Sequence, residues 1–433
     1  MAEKYFIPEE ETLQGDDLAS LQLHKARVML AEVCASNPFY KEKFADLDFD
    51  PASIQSLDDF RRLPFTTKSE IALDQAKNSP YGTNLTYPLK RYVRLHQSSG
   101  TSGGSFLRWL DTRESWDWIM RCWGIIYRAI GVTPEDRLFF AFSFGPFLGF
   151  WAGFEGAYQL GNLALSGGGM TSAARLRFMI DNSATIVGCT PTYALHLAEV
   201  AAEEGIDLVS SSVRALLVAG EPGGNIPETK SRIQDAWGAR CFDHTGMTEI
   251  GSLGIECVED PGNTHLIESE CIAEIINLKT GEPDSDGELG ELVLTNLGRC
   301  GSPLIRYRTG DLVQFTREPC KCGRGYCRML GGILGRADDM LIIRGNNIYP
   351  SAIEAIIRRF PEIAEFRIRV SDETEMASLL LEFEPLPDAQ DDLALVERIS
   401  KAFQDRFNFR ADIQAVAPGA LPRFELKARR FVK

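Results

Sequence analysis

The chain is short of positive charge. Its 433 residues carry 46 Lys and Arg against 61 Asp and Glu, a formal net charge of −15. Binding the phosphate backbone of a nucleic acid needs a clustered cationic face, so that class of partner is excluded. Long apolar runs are missing too. One long apolar stretch without a charge, LFFAFSFGPFLGFWAGF, covers Leu138 to Phe154 and is interrupted by Pro146 and three glycines. It is short and broken for a transmembrane helix and reads as a buried strand, a loop and the start of a helix, so no membrane partner is expected. The opening MAEKYFIPEEETLQGDD is mixed and acidic, without the basic and apolar blocks of a secretory leader. No internal repeat or low-complexity tract is present. The 10 cysteines are scattered, and without a leader they read as reduced thiols of a cytoplasmic protein rather than a disulfide framework.

What is present is an ordinary globular composition, 44% hydrophobic and 25% charged, long enough for two or three units. The first ninety or so residues carry apolar positions at helical spacing, as in LASLQLHKARVMLAEVCA. From about 91 to 240, short strand-like runs (RLFFAFSF, ATIVGCTP, VRALLVAGEP) alternate with helical stretches, the pattern of βαβ units and a parallel sheet. Residues 270 to 315 read as hairpins, with GEPDSDGELG as turn chemistry. After GGILGRADDM a short segment alternates strands and two helices. The fold class is therefore α/β. A large N-terminal domain, residues 1–337, holds mixed and parallel sheets with a β-rich subdomain, and a small α+β domain covers 338–433.

Five segments carry chemistry. QSSGTSGGSF, Gln97 to Phe106, follows a strand-like run, and its small residues let backbone N–H groups and hydroxyls approach an anion. It is not a Walker A loop, because the lysine of that motif is absent; a flexible linker is the plain alternative. VAGEPGG, Val218 to Gly224, and FDHTGMTEIG, Phe242 to Gly251, each follow an apolar strand, where an α/β sheet binds ligands. Glu249 after Thr248 offers a carboxylate to magnesium, which prefers oxygen ligands. In LIRYRTGDL, Asp311 is suited to the two hydroxyls of a ribose. In GRADDMLIIRGNNIYP, Arg336 adds a ribose or phosphate contact and the Asp pair offers a hinge. Lys427, in the tail LPRFELKARRFVK, is either a solvated terminal charge or a cation that enters a site and meets a phosphate.

These segments, in this order, resemble the adenylate-forming superfamily of acyl-CoA synthetases, and within it the phenylacetate–CoA ligase branch, over residues 90 to 433. The resemblance implies that Ser98, Ser99, Gly100, Thr101, Ser102 and Gly103 belong to a loop holding the pyrophosphate of ATP. Gly220, Glu221 and Pro222 would line the adenine pocket. Thr248 and Glu249 would bind phosphate and Mg²⁺. Asp311 and Arg336 would hold the ribose, Asp338 would be the hinge of the small domain, and Lys427 would drive adenylation. The sequence departs from the pattern twice. The loop has Gly104 where a lysine is usual, with Arg108 a substitute. Thr245 replaces the tyrosine before Gly246, leaving His244 or Phe242 as aromatic partner for adenine.

The pair Cys320 and Cys322 is a C-x-C, and Cys257 and His265 lie upstream; thiolates plus an imidazole make a tetrahedral zinc set. Some members of the resembled branch hold a structural zinc in this way, while Cys271, Cys300 and Cys327 are substitutes and unligated buried thiols the alternative. The resemblance places SFGPFLGFWAGFEG at the acid pocket. Phe144, Phe147, Phe150 and Trp151 would enclose a flat ring, with Ala219, Gly246 and Met247 opposite. It thus implies an ATP-dependent ligase that makes an acyl adenylate of an aromatic acid and passes the acyl group to coenzyme A. Arg344 and Gly345 would contact CoA, with Arg429 and Arg430 as further phosphate contacts. A separate carrier protein as acceptor is the alternative, and a homodimer stays open.

Overall fold

The computed structural model describes residues 4–47, 50–98, 106–283, 287–337, 339–343, 346–371, 378–386, 389, 392–407, 409, 411–424 and 428–432. Five helices open it: α1 (Pro8–Glu11), α2 (Gly15–Ser36), α3 (Pro38–Lys43), α4 (Leu57–Phe60) and α5 (Lys68–Lys77). Capping boxes at Ser56/Asp59 and Thr67/Glu70 start the last two, reciprocally satisfying free backbone donors. Two strands, β1 (Tyr92–Gln97) and β2 (Arg108–Thr112), then pair antiparallel, with Gln97 opposite Arg108.

The helix α6 (Arg113–Ala129) leads into strictly alternating elements. These are β3 (Arg137–Phe140), α7 (Leu148–Gln159), β4 (Leu163–Ser166), α8 (Ser172–Asp181), β5 (Ile186–Cys189), α9 (Pro191–Glu203), β6 (Ala215–Ala219), α10 (Pro227–Trp237) and β7 (Arg240–Met247). Strands β4, β3, β5, β6 and β7 pair in that order, all parallel. The strands are short apolar runs because both faces are covered. Phe140, Ile186 and Leu217 pack under α6 and α7, while their neighbours Phe139, Val187 and Leu216 pack with Leu176 of α8, Leu197 of α9 and Trp237 of α10.

From β7 the sheet turns antiparallel. It continues through β8 (Gly251–Cys257), β9 (Asp260–Leu266), β10 (Cys271–Ile276), β11 (Leu289–Asn296), β12 (Tyr307–Thr316), β13 (Arg328–Leu330) and β14 (Gly335–Arg336). Strand β13 bridges β9 to β12, so a 12-stranded sheet results in which β10, β11 and β12 form the hairpins. Helices α2 and α3 close a separate cluster against Ile272, Leu297 and Ile305.

The chain ends in a smaller sheet domain. A hairpin of β15 (Leu341–Ile343) and β16 (Asn346–Ile348) precedes α11 (Pro350–Ile357), β17 (Ile363–Ser371), β18 (Ser378–Pro385), α12 (Asp392–Phe407), β19 (Asp412–Ala415) and β20 (Phe431–Val432). Its four strands run β19-β18-β17-β20 and share a core of Ile353, Phe366, Leu381, Ile399 and Phe403. Among the described residues no helix is long and apolar enough to cross a membrane. The uncharged run from Leu138 forms β3, a loop and α7.

Candidate active site

The site lies where the parallel strands end, beside the crossing to the antiparallel half. Parallel strands deliver their following loops to one edge, which is where α/β sheets bind ligands. Gly220, Glu221 and Pro222 follow β6, and Thr248 and Glu249 follow β7. The base of the Ser/Gly loop is tied by Ser98, whose N–H donates to Leu107 O at 2.9 Å and whose Oγ accepts from Leu107 N at 3.0 Å. Ser99 to Gly104 lie outside the described residues, as do Asp338, Arg344, Gly345 and Lys427.

The Thr248–Glu249 turn is held from below by a group that sequence patterns do not single out. Arg299 donates from Nη1 to the carbonyl oxygens of Thr248 (2.7 Å) and Glu249 (2.8 Å). Its Nε and Nη2 form a two-point pair with Asp111 at 2.6 and 2.8 Å, and neither side chain is accessible to solvent. Burial alone would raise the Asp111 carboxyl, but the Arg299 charge holds it below the ordinary range. Above the turn, Lys68 Nζ stands 3.9 Å from Glu249 Oε1. Lys68 is the first residue of α5, a position where the helix dipole opposes a cation. That misfit was the available signal for it.

Asp311 and Arg336 sit opposite one another on β12 and β14 and pair at 3.0 Å. Arg108 donates to Pro80 O at 3.2 Å.

The C-terminal tail meets this edge. Glu221 accepts from Thr192 N at 2.9 Å, near the start of α9, and from Ala428 N at 2.6 Å. One carboxylate thus joins a helix N-terminus of the large domain to the residue after Lys427. Arg423 adds an ion pair across the seam, to Glu199 of α9 at 3.2 Å, and Arg359 one to Glu228 of α10 at 3.1 Å. Arg430, expected among the CoA phosphate contacts, is corrected here: it is buried and paired with Glu365 at 2.6 Å and with Glu354 at 3.4 Å, so its charge is spent inside the small domain.

On the α6–α7 side of the sheet, aromatic rings touch in sequence. Phe142 and Phe144 are 5.6 Å apart between centroids, Phe144 and Trp151 4.8 Å, and Phe144 and Phe154 5.4 Å. Met247 packs against the same core. Phe147 caps the start of α7, and Phe150 lies within it. Phe242 is buried in the core. Ala219 and His244 are register partners on β6 and β7. The His244 ring lies 4.9 Å from that of Trp123.

A second cluster sits apart, behind the antiparallel half. Cys257, His265, Cys320 and Cys322 are all buried, and one ligand atom from each lies within 4.8 Å of the others. Cys257 Sγ is 3.8 Å from Cys320 Sγ, and Cys322 Sγ is 3.4 Å from His265 Nε2. A tetrahedron with metal–sulfur bonds of about 2.3 Å and a metal–nitrogen bond of about 2.0 Å needs edges of roughly 3.8 and 3.5 Å. Hydrogen bonding from Cys257 pulls the Cys322 thiol down; burial would lower His265, but its hydrogen bonds to Cys320 and Cys322 raise it to about 9. The donor set fits a soft cation.

Residues 345–433 match the AMP-binding enzyme C-terminal domain family. The phenylacetate–coenzyme A ligase of Thermus thermophilus is 31% identical over 440 residues, covering 97% of each chain. Among solved structures, 2-hydroxyisobutyryl-CoA ligase in the postadenylation state, in complex with 2-HIB-AMP, superposes with a TM-score of 0.94 at 29% identity, over 99% of this chain and 92% of that one. The same ligase with 2-HIB-AMP and CoA in the thioesterification state gives 0.75 at 30% identity over the same shares. Coverage is equal, so the difference lies in how the parts are arranged, and this chain follows the first arrangement. Sequence, fold and the order of the site segments agree: the chain belongs to the phenylacetate–coenzyme A ligase family of adenylate-forming acyl-CoA ligases.

Proposed function

We propose that the protein is an AMP-forming aryl-CoA ligase working in two half-reactions. In the first, the carboxylate of an aromatic acid attacks the α-phosphorus of ATP and pyrophosphate leaves. In the second, the CoA thiol attacks the acyl adenylate and AMP leaves. The observation that carries the reading is the Ala428–Glu221 hydrogen bond, which brings the residue next to Lys427 to the nucleotide edge of the large domain.

Phosphoryl transfer of this kind asks for positioning and charge more than for covalent help. Lys427 would meet the charge that builds on the phosphoryl oxygens, and losing such a group costs about 10²–10³ in rate. Lys68 would supply a cation that the Ser/Gly loop lacks at Gly104. Thr248 and Glu249 would hold Mg²⁺, which neutralises phosphate charge when bound and prefers such oxygen donors. Asp311 and Arg336 would hold the ribose, Gly220 to Pro222 and Thr245 the adenine side, and Ser98 to Gly103 the pyrophosphate. The small domain, residues 338–433, would turn at Asp338 and carry Lys427 away, and Arg344 and Gly345 would then border the path of CoA.

The wall of rings around Phe144 and Trp151, with Ala219, Gly246 and Met247 opposite, suits a compact aromatic acid. Cys257, His265, Cys320 and Cys322 would hold a structural zinc; four protein ligands close its shell and leave no position for chemistry.

Incubation with ATP, Mg²⁺ and a panel of aryl acids tests the reading. Acid-dependent pyrophosphate release without CoA is expected, followed by thioester formation when CoA is added. No release with any acid would refute it, and release without thioester on free CoA would point to a separate carrier protein.

A further inference from the structure

Alternation along the strands decides which side chains look into the aromatic chamber. Phe140 and Leu217 pack under α6 and α7, and so does Phe242. Two residues on from Leu217 and Phe242 come Ala219 and His244, on that same face by the two-residue period of a strand. Asp243 faces the other way: Asn225 donates to it at 2.9 Å, and a Cβ at Gly224 would come within 2.1 Å of its carboxylate. His244 therefore stands on the side of the rings.

Its hydrogen bonding is half complete. Nδ1 lies 2.7 Å from Gly254 O. A carbonyl oxygen only accepts, so Nδ1 carries the hydrogen and Nε2 of the neutral ring bears a lone pair. Burial lowers the imidazole to about 4, which keeps it neutral at physiological pH. Among the described residues nothing donates to Nε2. A Cβ at position 246 would sit 3.3 Å from Nε2, so glycine there leaves that nitrogen uncovered. The adjoining ring repeats the pattern, for the indole N–H of Trp123 is buried and has no acceptor among the described residues. Two neighbouring rings in this wall each hold a hydrogen-bonding nitrogen without a partner among the described residues. A buried N–H such as that of Trp123 is rarely left so, and Nε2 beside it is open to a ligand.

We propose that His244 is a specificity-determining residue of the acid pocket, and that the acid activated carries a hydrogen-bond donor, a hydroxyl or amino substituent, that meets His244 Nε2. This rests on the ligase reading above and moves His244 from the adenine to the acid. The donor gives its hydrogen to a lone pair that stays unpaired with an unsubstituted ring. A pocket built to receive such a group discriminates against the analogue that lacks it far more strongly than an apolar pocket discriminates on size.

The test uses the full chain and acid-dependent pyrophosphate release. Benzoate and phenylacetate are compared with their hydroxy, amino and methyl derivatives at each ring position. A best acid with a hydroxyl or amino group is expected, its kcat/KM at least about tenfold above both its parent and its methyl analogue. The hydroxy and amino series show which donor it is. In His244→Leu the ratio of donor acid to parent should fall toward one, and His244→Gln, which keeps an acceptor, should restore part of it. A best wild-type acid that is unsubstituted or methylated would overturn the proposal while leaving the ligase reading intact. So would a His244→Leu enzyme that loses the same factor on every acid. If the leucine variant does not fold, the wild-type comparison with the methyl analogue still decides. An absence of pyrophosphate release with every acid would overturn both.

Discussion

Charge holds the large domain together and also closes the seam to the small one, but in different ways. Two pairs inside the large domain are dry and two-pointed: Arg299 with Asp111 at 0% exposure on both sides, and Arg306 with Glu274 at 8% and 1%. Across the seam they are wet and single, Arg359 with Glu228 at 58% and 26%, and Arg423 with Glu199 at 27% and 35%. A buried pair is costly to break because one charge is left behind, whereas an exposed pair is worth little. The first kind suits a floor that must not move, under the Thr248–Glu249 turn. The second suits a joint that opens, as the proposed two-step cycle requires.

Four substitutions probe that contrast. Arg299→Met strands Asp111 and should cost about 3–5 kcal/mol, read by chemical denaturation; a change under about 1 kcal/mol would mean the floor is no firmer than the seam. Cys322→Ser should lose the zinc, expected at about one per chain by metal analysis, and lower stability by a few kcal/mol. A metal-free wild type of equal stability would remove that claim. Glu221→Gln keeps the shape but weakens the charge-assisted bond to Ala428, a bond worth about 1.5–3 kcal/mol. Adenylation should slow by roughly tenfold or more while thioester formation is spared; equal slowing of both would make Glu221 a structural group only. Arg359→Ala should change stability by less than about 1 kcal/mol and leave both half-reactions near wild type.

The same contrast explains what the sequence made legible. The parallel half announces itself through runs such as RLFFAFSF and VRALLVAG, because strands covered on both faces must be apolar throughout. Cys320 and Cys322 are legible because C-x-C spacing is local and unusual, whereas Cys257 and His265, far upstream, join them through the resemblance. Asp311 and Arg336 were named separately and lie together because a short β pairing joins their segments. The supports were not legible. Asp111 and Arg299 are 188 positions apart, and nothing in either neighbourhood encodes the partner. Lys68 left only the faint signal of a cation at a helix start. Arg430 was misassigned because a basic tail looks solvated until Glu365 and Glu354 are seen to surround it. The lone pair on Nε2 of His244 depends on the carbonyl of Gly254 holding Nδ1–H, a contact with no sequence signature at all.

In the proposed cycle Lys427 serves adenylation and is withdrawn from thioester formation. Lys427→Ala, assayed in parallel for acid-dependent pyrophosphate release and for thioester formation from supplied acyl adenylate and CoA, tests it most directly. The first rate should fall by about 10²–10³ while the second stays within a few-fold of wild type. An equal fall in both would contradict it.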